Sequence, residues 1–312
     1  MPAAAASIPH FGPELVADLD VRRRTSLGLL CLCATVASLA ARWIPDLAAR
    51  TMCGVLISAV LLACSLASAK FTNLPQVRPL LWALFIFALV QLLNDSLPHV
   101  VASYLLRESP TSGNPLASTV SGSLVIQLLE TALAVVPILV VARLASLDLR
   151  SLYVTTHPKV RWLLFASVSF IALYAFIATI PLRPGSPIQQ LLPLAADLSV
   201  QRVLALTPAL VVLALSNGLQ EELLFRGLFL QRYTVFLGAG AANVLQAAVF
   251  TVAHVDVTYT PMLLLFLIAL VFPLGLLAGY LMRASNSVLV PAIVHGGLDL
   301  LIYLGFLVSA VG

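Results

Sequence analysis

The sequence predicts an all-α, polytopic transmembrane helical bundle of about eight or nine spans, and three observations predict it. First, of 312 residues, 61% are apolar and only 10% carry a charge. A soluble domain averages about 45–50% and about 25%. One soluble core does not hide that much apolar surface, so the excess faces lipid. Second, the apolar residues fall into runs long enough to cross a bilayer. Third, with nine crossings and the N-terminus inside, twelve of the 17 basic residues lie inside and five outside, the bias that orients membrane proteins.

The elements follow in order. Residues 1–25 are an Ala/Pro-rich lead-in ending on Arg22-Arg23-Arg24, which hold the first span's start in the cytoplasm. The leader is long and partly acidic, which argues for an uncleaved first span rather than a signal peptide. Runs follow at about 27–41, 52–69, 79–106, 121–145, 160–181, 203–219, 237–254, 260–282 and 287–309. The third is expected to break near Asn94-Asp95 and Pro98. The stretch 217–232 is expected to lie partly along the interface. A loop, Leu182-Arg183-Pro184-Gly185-Ser186-Pro187, separates N-terminal transmembrane helices at 26–182 from a C-terminal core at 200–309.

Composition excludes other classes. Disorder, collagen, coiled coil and a disulfide scaffold do not fit it. The arginines are scattered over loops, so the net charge of +4 is no nucleic-acid footprint. Cys31, Cys33, Cys53 and Cys64 lie in the first two runs. Cys31 and Cys33 point to nearly opposite sides of a helix and make a poor metal or disulfide pair, and all four read as buried small hydrophobes.

Chemistry is sought where charge is expensive, inside the hydrocarbon layer. The front half offers Asp95 and Glu130, both read as interhelical hydrogen-bond glue. The back half is denser. Asn217-Gly218-Leu219-Gln220-Glu221-Glu222-Leu223-Leu224-Phe225-Arg226 places adjacent carboxylates and an arginine on an apolar helix. Glu222 and Arg226 are i,i+4 in the favourable order for an ion pair. Glu221 points about 100° away, free to face a cavity and take a proton from water. His254 shares a face with Phe250 one turn earlier, and His295 with Asp299 one turn later.

These three elements, Glu-Glu-x-x-x-Arg, Phe-x-x-x-His and His-x-x-x-Asp on successive apolar helices, resemble the motif set of the CPBP intramembrane proteases. That family includes the type II CAAX prenyl proteases, the bacterial Abi proteins and the lysostaphin-resistance-like proteins. The resemblance covers about residues 200–309. It implies that Glu221, with His254, activates a water for attack on a peptide carbonyl. It also implies that His295 and Asp299 stabilise the oxyanion, with Glu222, Arg226 and Phe250 in support. Asp299 departs from the Asn typical of the prenyl proteases; an ionised carboxylate there would have to be protonated, orient His295 or bind a metal. Glu221, His254, His295 and Asp299 are the set a zinc ion would use, although the implied glutamate-type mechanism needs no cofactor.

The expected activity is thus endopeptidase cleavage of a membrane-associated protein or peptide in the bilayer, with no nucleic-acid partner. The composition is Arg-rich and Ala/Leu-heavy with only two lysines, Lys70 and Lys159, and reads as that of a bacterial inner-membrane protein. Prenylated substrates are then less expected than a small membrane peptide or bacteriocin precursor. Two rivals are a catalytically silent scaffold regulating a partner protein, and an ion-coupled transporter relaying protons through Asp95, Glu130 and Glu221. The transporter predicts inverted repeats, and the sequence shows none. A straight span from 237 would leave His254 and His295 near opposite faces. The site closes only if Glu221–Arg232 dips through the interface or the next span starts nearer Asn243.

Overall fold

The computed structural model describes residues 21–70, 77–106, 119–155, 158–179, 199–255 and 261–311. The loop Leu182–Pro187 and most of the lead-in lie outside them. The described residues are helical and contain no strand. Helices α1 (Val21–Ala40), α2 (Leu47–Ala67), α3 (Val77–Leu106), α4 (Val120–Leu144) and α5 (Val160–Thr179) form the front of the chain. Helix α6 (Val200–Glu221) passes through a π-turn (Glu222–Gly227) into α7 (Leu228–Ala253). Then α8 (Pro261–Phe266) runs through a second π-turn (Leu267–Val271) into α9 (Phe272–Ser285), and α10 (Leu289–Val311) follows. Among the described residues, eight helical segments are long and apolar enough to cross a membrane, the longest being Val200–Ala253.

Helix starts follow local chemistry. Asp46, Thr119 and Ser199 accept, through their side chains, from backbone N–H groups of the first turns of α2, α4 and α6. Asn286 takes the left-handed conformation that ends α9.

The sequence reading needs correction at two points. Helix α3 does not break at Asn94-Asp95 or at Pro98, which lies inside one helix. Inside a bundle, neighbouring groups compensate the carbonyl a proline releases. Within the stretch 217–232, every residue from 222 to 230 is buried in the protein. Of the cysteines, Cys31 is buried, but Cys33 and Cys64 are exposed on the outer surface of the bundle.

Helix α7 bends at Gly238, whose φ of 77° and ψ of 165° only glycine adopts readily. Helix α7 therefore has two limbs, and the second restarts at 239, next to the start at 237 read from the sequence and short of the Asn243 alternative.

Backbones approach closely on both sides of α7. A Cβ on Gly218 would stand 2.4 Å from the Ala292 carbonyl oxygen, and one on Gly296 would stand 2.7 Å from that of Ala214. Helices α6 and α10 thus touch main chain to main chain, as small residues allow inside membranes. On α9, Gly275 meets Ala247 in the same way. There Asn243 donates to the Leu276 carbonyl and Gln246 to that of Gly275.

The largest apolar cluster draws on α1, α3 and α4 as well as on the π-turn and α7. Phe87 of α3 packs edge-on against Phe225 and Phe229. Front and back halves therefore share one core around the π-turn.

Candidate active site

The two adjacent glutamates stand at the junction of two helix forms, Glu221 ending α6 and Glu222 opening the π-turn. Side chains three and four apart still meet, so Arg226 Nη1 donates to Glu222 Oε1 at 2.9 Å. Both side chains are fully buried. The guanidinium also lies 3.9 Å from the centre of the Phe250 ring, which takes its other face. Phe225 and Phe250 meet edge-on beside it. A buried ion pair needs further partners to offset its desolvation, and here an aromatic face and a third partner add to it, while Glu222 Oε2, Arg226 Nε and Arg226 Nη2 make no hydrogen bond among the described residues.

That third partner is His295. Its Nδ1 lies 2.8 Å from the same Glu222 Oε1. A carboxylate accepts only, so Nδ1 carries the hydrogen and Nε2 is aimed the other way. It is aimed at Glu221, whose Oε2 is 3.6 Å from His295 Nε2 and 3.7 Å from His254 Nε2. Glu221 Oε2 makes no hydrogen bond among the described residues.

His254 is the C-cap of α7. Its Nδ1 is 2.8 Å from the Phe250 carbonyl, which can only accept, so neutral His254 presents the lone pair of Nε2 to Glu221. The Phe250 ring lies 4.5 Å from the His254 ring and 5.6 Å from that of His295, fixing both. Asp299 Oδ1 lies 3.7 Å from His295 Nε2. Its other oxygen accepts from Asn217 Nδ2 at 3.0 Å.

Every residue singled out from the sequence motifs therefore meets in one place. The roles of Glu222 and Asp299 divide differently from the simplest reading, because Glu222 rather than Asp299 holds the inner nitrogen of His295. Asn217 was missed as a partner. Its signal was its position one turn before Glu221, on the same face of α6.

A cavity of about 800 Å³ opens from Glu221 and His254. Its far wall comes from the front half and includes Arg42, Asp95 and Glu130. Arg42 Nε lies 3.4 Å from Asp95 Oδ1. Asp95 and Glu130 thus line the space in front of Glu221, beyond the interhelical role expected of them. The glue in α4 is Gln127, which accepts from the Tyr303 hydroxyl and donates to Gln220 Oε1.

The four nitrogen and oxygen donors face one another, but among the described residues no group of three or more His, Cys, Asp or Glu converges to hold a metal ion. Separations of 3.6–3.7 Å exceed a direct hydrogen bond, so Glu221 Oε2 is near both imidazoles without being tied to either.

No curated protein and no solved structure matches the chain. A family model does match, over residues 203–301: that of the type II CAAX prenyl endopeptidases, Rce1-like. The matched segment runs from α6 into α10 and contains Glu221, Glu222, Arg226, His254, His295 and Asp299. Over this segment the chain is similar to the type II CAAX prenyl endopeptidases, in the CPBP group that its motifs resemble.

Proposed function

We propose that the protein is an intramembrane endopeptidase that hydrolyses a peptide bond in a membrane-associated protein or peptide by a glutamate-activated water. The observation that carries this reading is the position of Glu221 Oε2, without a hydrogen bond of its own, between the Nε2 atoms of two histidines at the wall of a large cavity.

A water within reach of Glu221 and His254 loses its proton to the carboxylate as it attacks the carbonyl carbon. The oxygen of the tetrahedral intermediate faces His295. With Nδ1 held by Glu222, the His295 ring cannot swing, and as an imidazolium it donates from Nε2 to the developing charge. Asp299, fixed by Asn217, balances that imidazolium. The proton on Glu221 then passes to the leaving amine, and the carboxylate is regenerated. Each step uses a side chain already placed, and none requires a metal.

The site lies among membrane helices, so a substrate that is lipid-anchored or membrane-spanning reaches it by diffusing in two dimensions. The test is cleavage of a fluorogenic membrane-peptide library by purified protein, wild type against Glu221→Gln, with and without chelator. Turnover lost in the variant and kept with chelator is the expected result. Wild-type turnover retained by Glu221→Gln would remove Glu221 as the base, and turnover lost with chelator would replace the proposed mechanism by a metal-assisted one.

A further inference from the structure

The chain segment between α1 and α2 reaches the active site from outside the family-matched region. After α1 the backbone tightens into a single 3₁₀ turn, Ala41–Trp43, and α2 begins at Leu47 behind the Asp46 cap. Three polar ties hold this bracket. Arg50 Nε donates to the Ile44 carbonyl at 2.9 Å, and Arg42 is paired with Asp95 on α3. The third tie crosses to the other half of the chain, where Trp43 Nε1 donates to the Val255 carbonyl at 3.2 Å.

Val255 directly follows His254, at the end of α7. Past the C-cap the N–H groups of His254 and Val255 turn back to the Thr251 and Val252 carbonyls, while the Val255 carbonyl points away from the helix and takes its bond from outside. Inside its own helix, the His254 ring is held by the Phe250 carbonyl and the Phe250 ring. The indole N–H of Trp43 supplies a hold from outside. Trp43, Val255 and His254 also line the same cavity.

We infer that Trp43 is a positioning residue for His254: its indole N–H pins the carbonyl of Val255 and so sets the direction of the imidazole toward Glu221. The inference rests on the peptidase reading for its effect on turnover, though not for its effect on His254 itself. A base held 3.7 Å from its partner by a single helix end is sensitive to small rotations of that end.

The experiment compares full-length wild type with Trp43→Phe, which keeps a six-membered aromatic ring and removes the N–H donor with its five-membered ring. The control is Trp162→Phe, because the indole nitrogen of Trp162 is buried without a hydrogen bond. The first readout is the rate at which diethyl pyrocarbonate modifies His254, followed by mass spectrometry. It needs no substrate. The His254 side chain is 29% exposed and that of His295 only 3%, so the two are separable by rate. Trp43→Phe is expected to raise the His254 rate several-fold and leave His295 unchanged.

The second readout is steady-state cleavage, where kcat is expected to fall about tenfold with KM little altered, as misplaced catalytic groups do. Thermal unfolding should match wild type, and Trp162→Phe should match it in every readout. An unchanged His254 rate would overturn the inference, whatever happens to turnover. A rise in KM alone would also overturn it, leaving Trp43 as part of the substrate wall. If wild-type protein shows no turnover, the peptidase reading fails separately, and the modification rate still decides the role of Trp43.

Discussion

The two ends of the active site are built on opposite terms. At the inner end, Glu222, Arg226 and the Nδ1 side of His295 are closed off from the cavity, and each charge is matched. At the outer end, Glu221 and His254 face the cavity with separations too long for direct hydrogen bonds. Neighbouring glutamates on one turn thus have contrary tasks. In the proposed mechanism Glu222 fixes geometry and Glu221 is left free to react. A buried pair of charges is a poor source of stability compared with apolar packing, yet removing one partner is severe, because the other is stranded.

This contrast is sharpest in its largest expected effect. Glu221→Gln should lower turnover by about 10²–10⁴-fold, the range for a general base, while thermal unfolding in detergent stays close to wild type. Arg226→Met should do the reverse in kind, destabilising the fold by about 3–5 kcal/mol through the stranded Glu222 carboxylate. Equilibrium unfolding of the two variants side by side is the check, and a stable Arg226→Met protein would break the division of labour. Asn217→Ala should be intermediate, lowering kcat by about tenfold through loss of one hydrogen bond to a charged group. The double variant Asn217→Asp, Asp299→Asn re-forms an amide–carboxylate pair and should recover part of that loss if pairing is what matters. The smallest effect is expected away from the site. Tyr303→Phe removes the hydroxyl that Gln127 accepts and should cost about 1 kcal/mol in stability, with turnover nearly unchanged.

What the sequence made legible was local. Runs of apolar residues gave the helices, and i,i+4 spacing gave the Glu222–Arg226 pair and the shared faces of Phe250 with His254 and His295 with Asp299. Spacing on one helix says nothing of which helix lies opposite. That is why the Asn217–Asp299 bond, the Glu222–His295 bond and the place of Asp95 and Glu130 in the cavity wall were not readable. The π-turn was hidden for a related reason. It needs one extra residue per turn to be accommodated by packing from Phe87 and Phe225, and nothing in Glu-Leu-Leu-Phe-Arg-Gly marks it. Gly238 was visible as a residue, but its backbone angles depend on where the chain must return.

The contact between α6 and α10 has a consequence for how the site keeps its dimensions. Where Gly218 and Gly296 let two main chains touch, the interval between the helices is the thickness of peptide units, not of side chains. Peptide units have no rotamers, so this spacer does not breathe as a leucine-packed seam does. It lies one turn or less from Glu221 on one helix and beside His295 on the other. The reach from Glu221, the proposed base, to His295, the proposed oxyanion donor, is therefore gauged by backbone, and a single methyl group at either glycine would act as a shim, prising the two apart without touching either side chain.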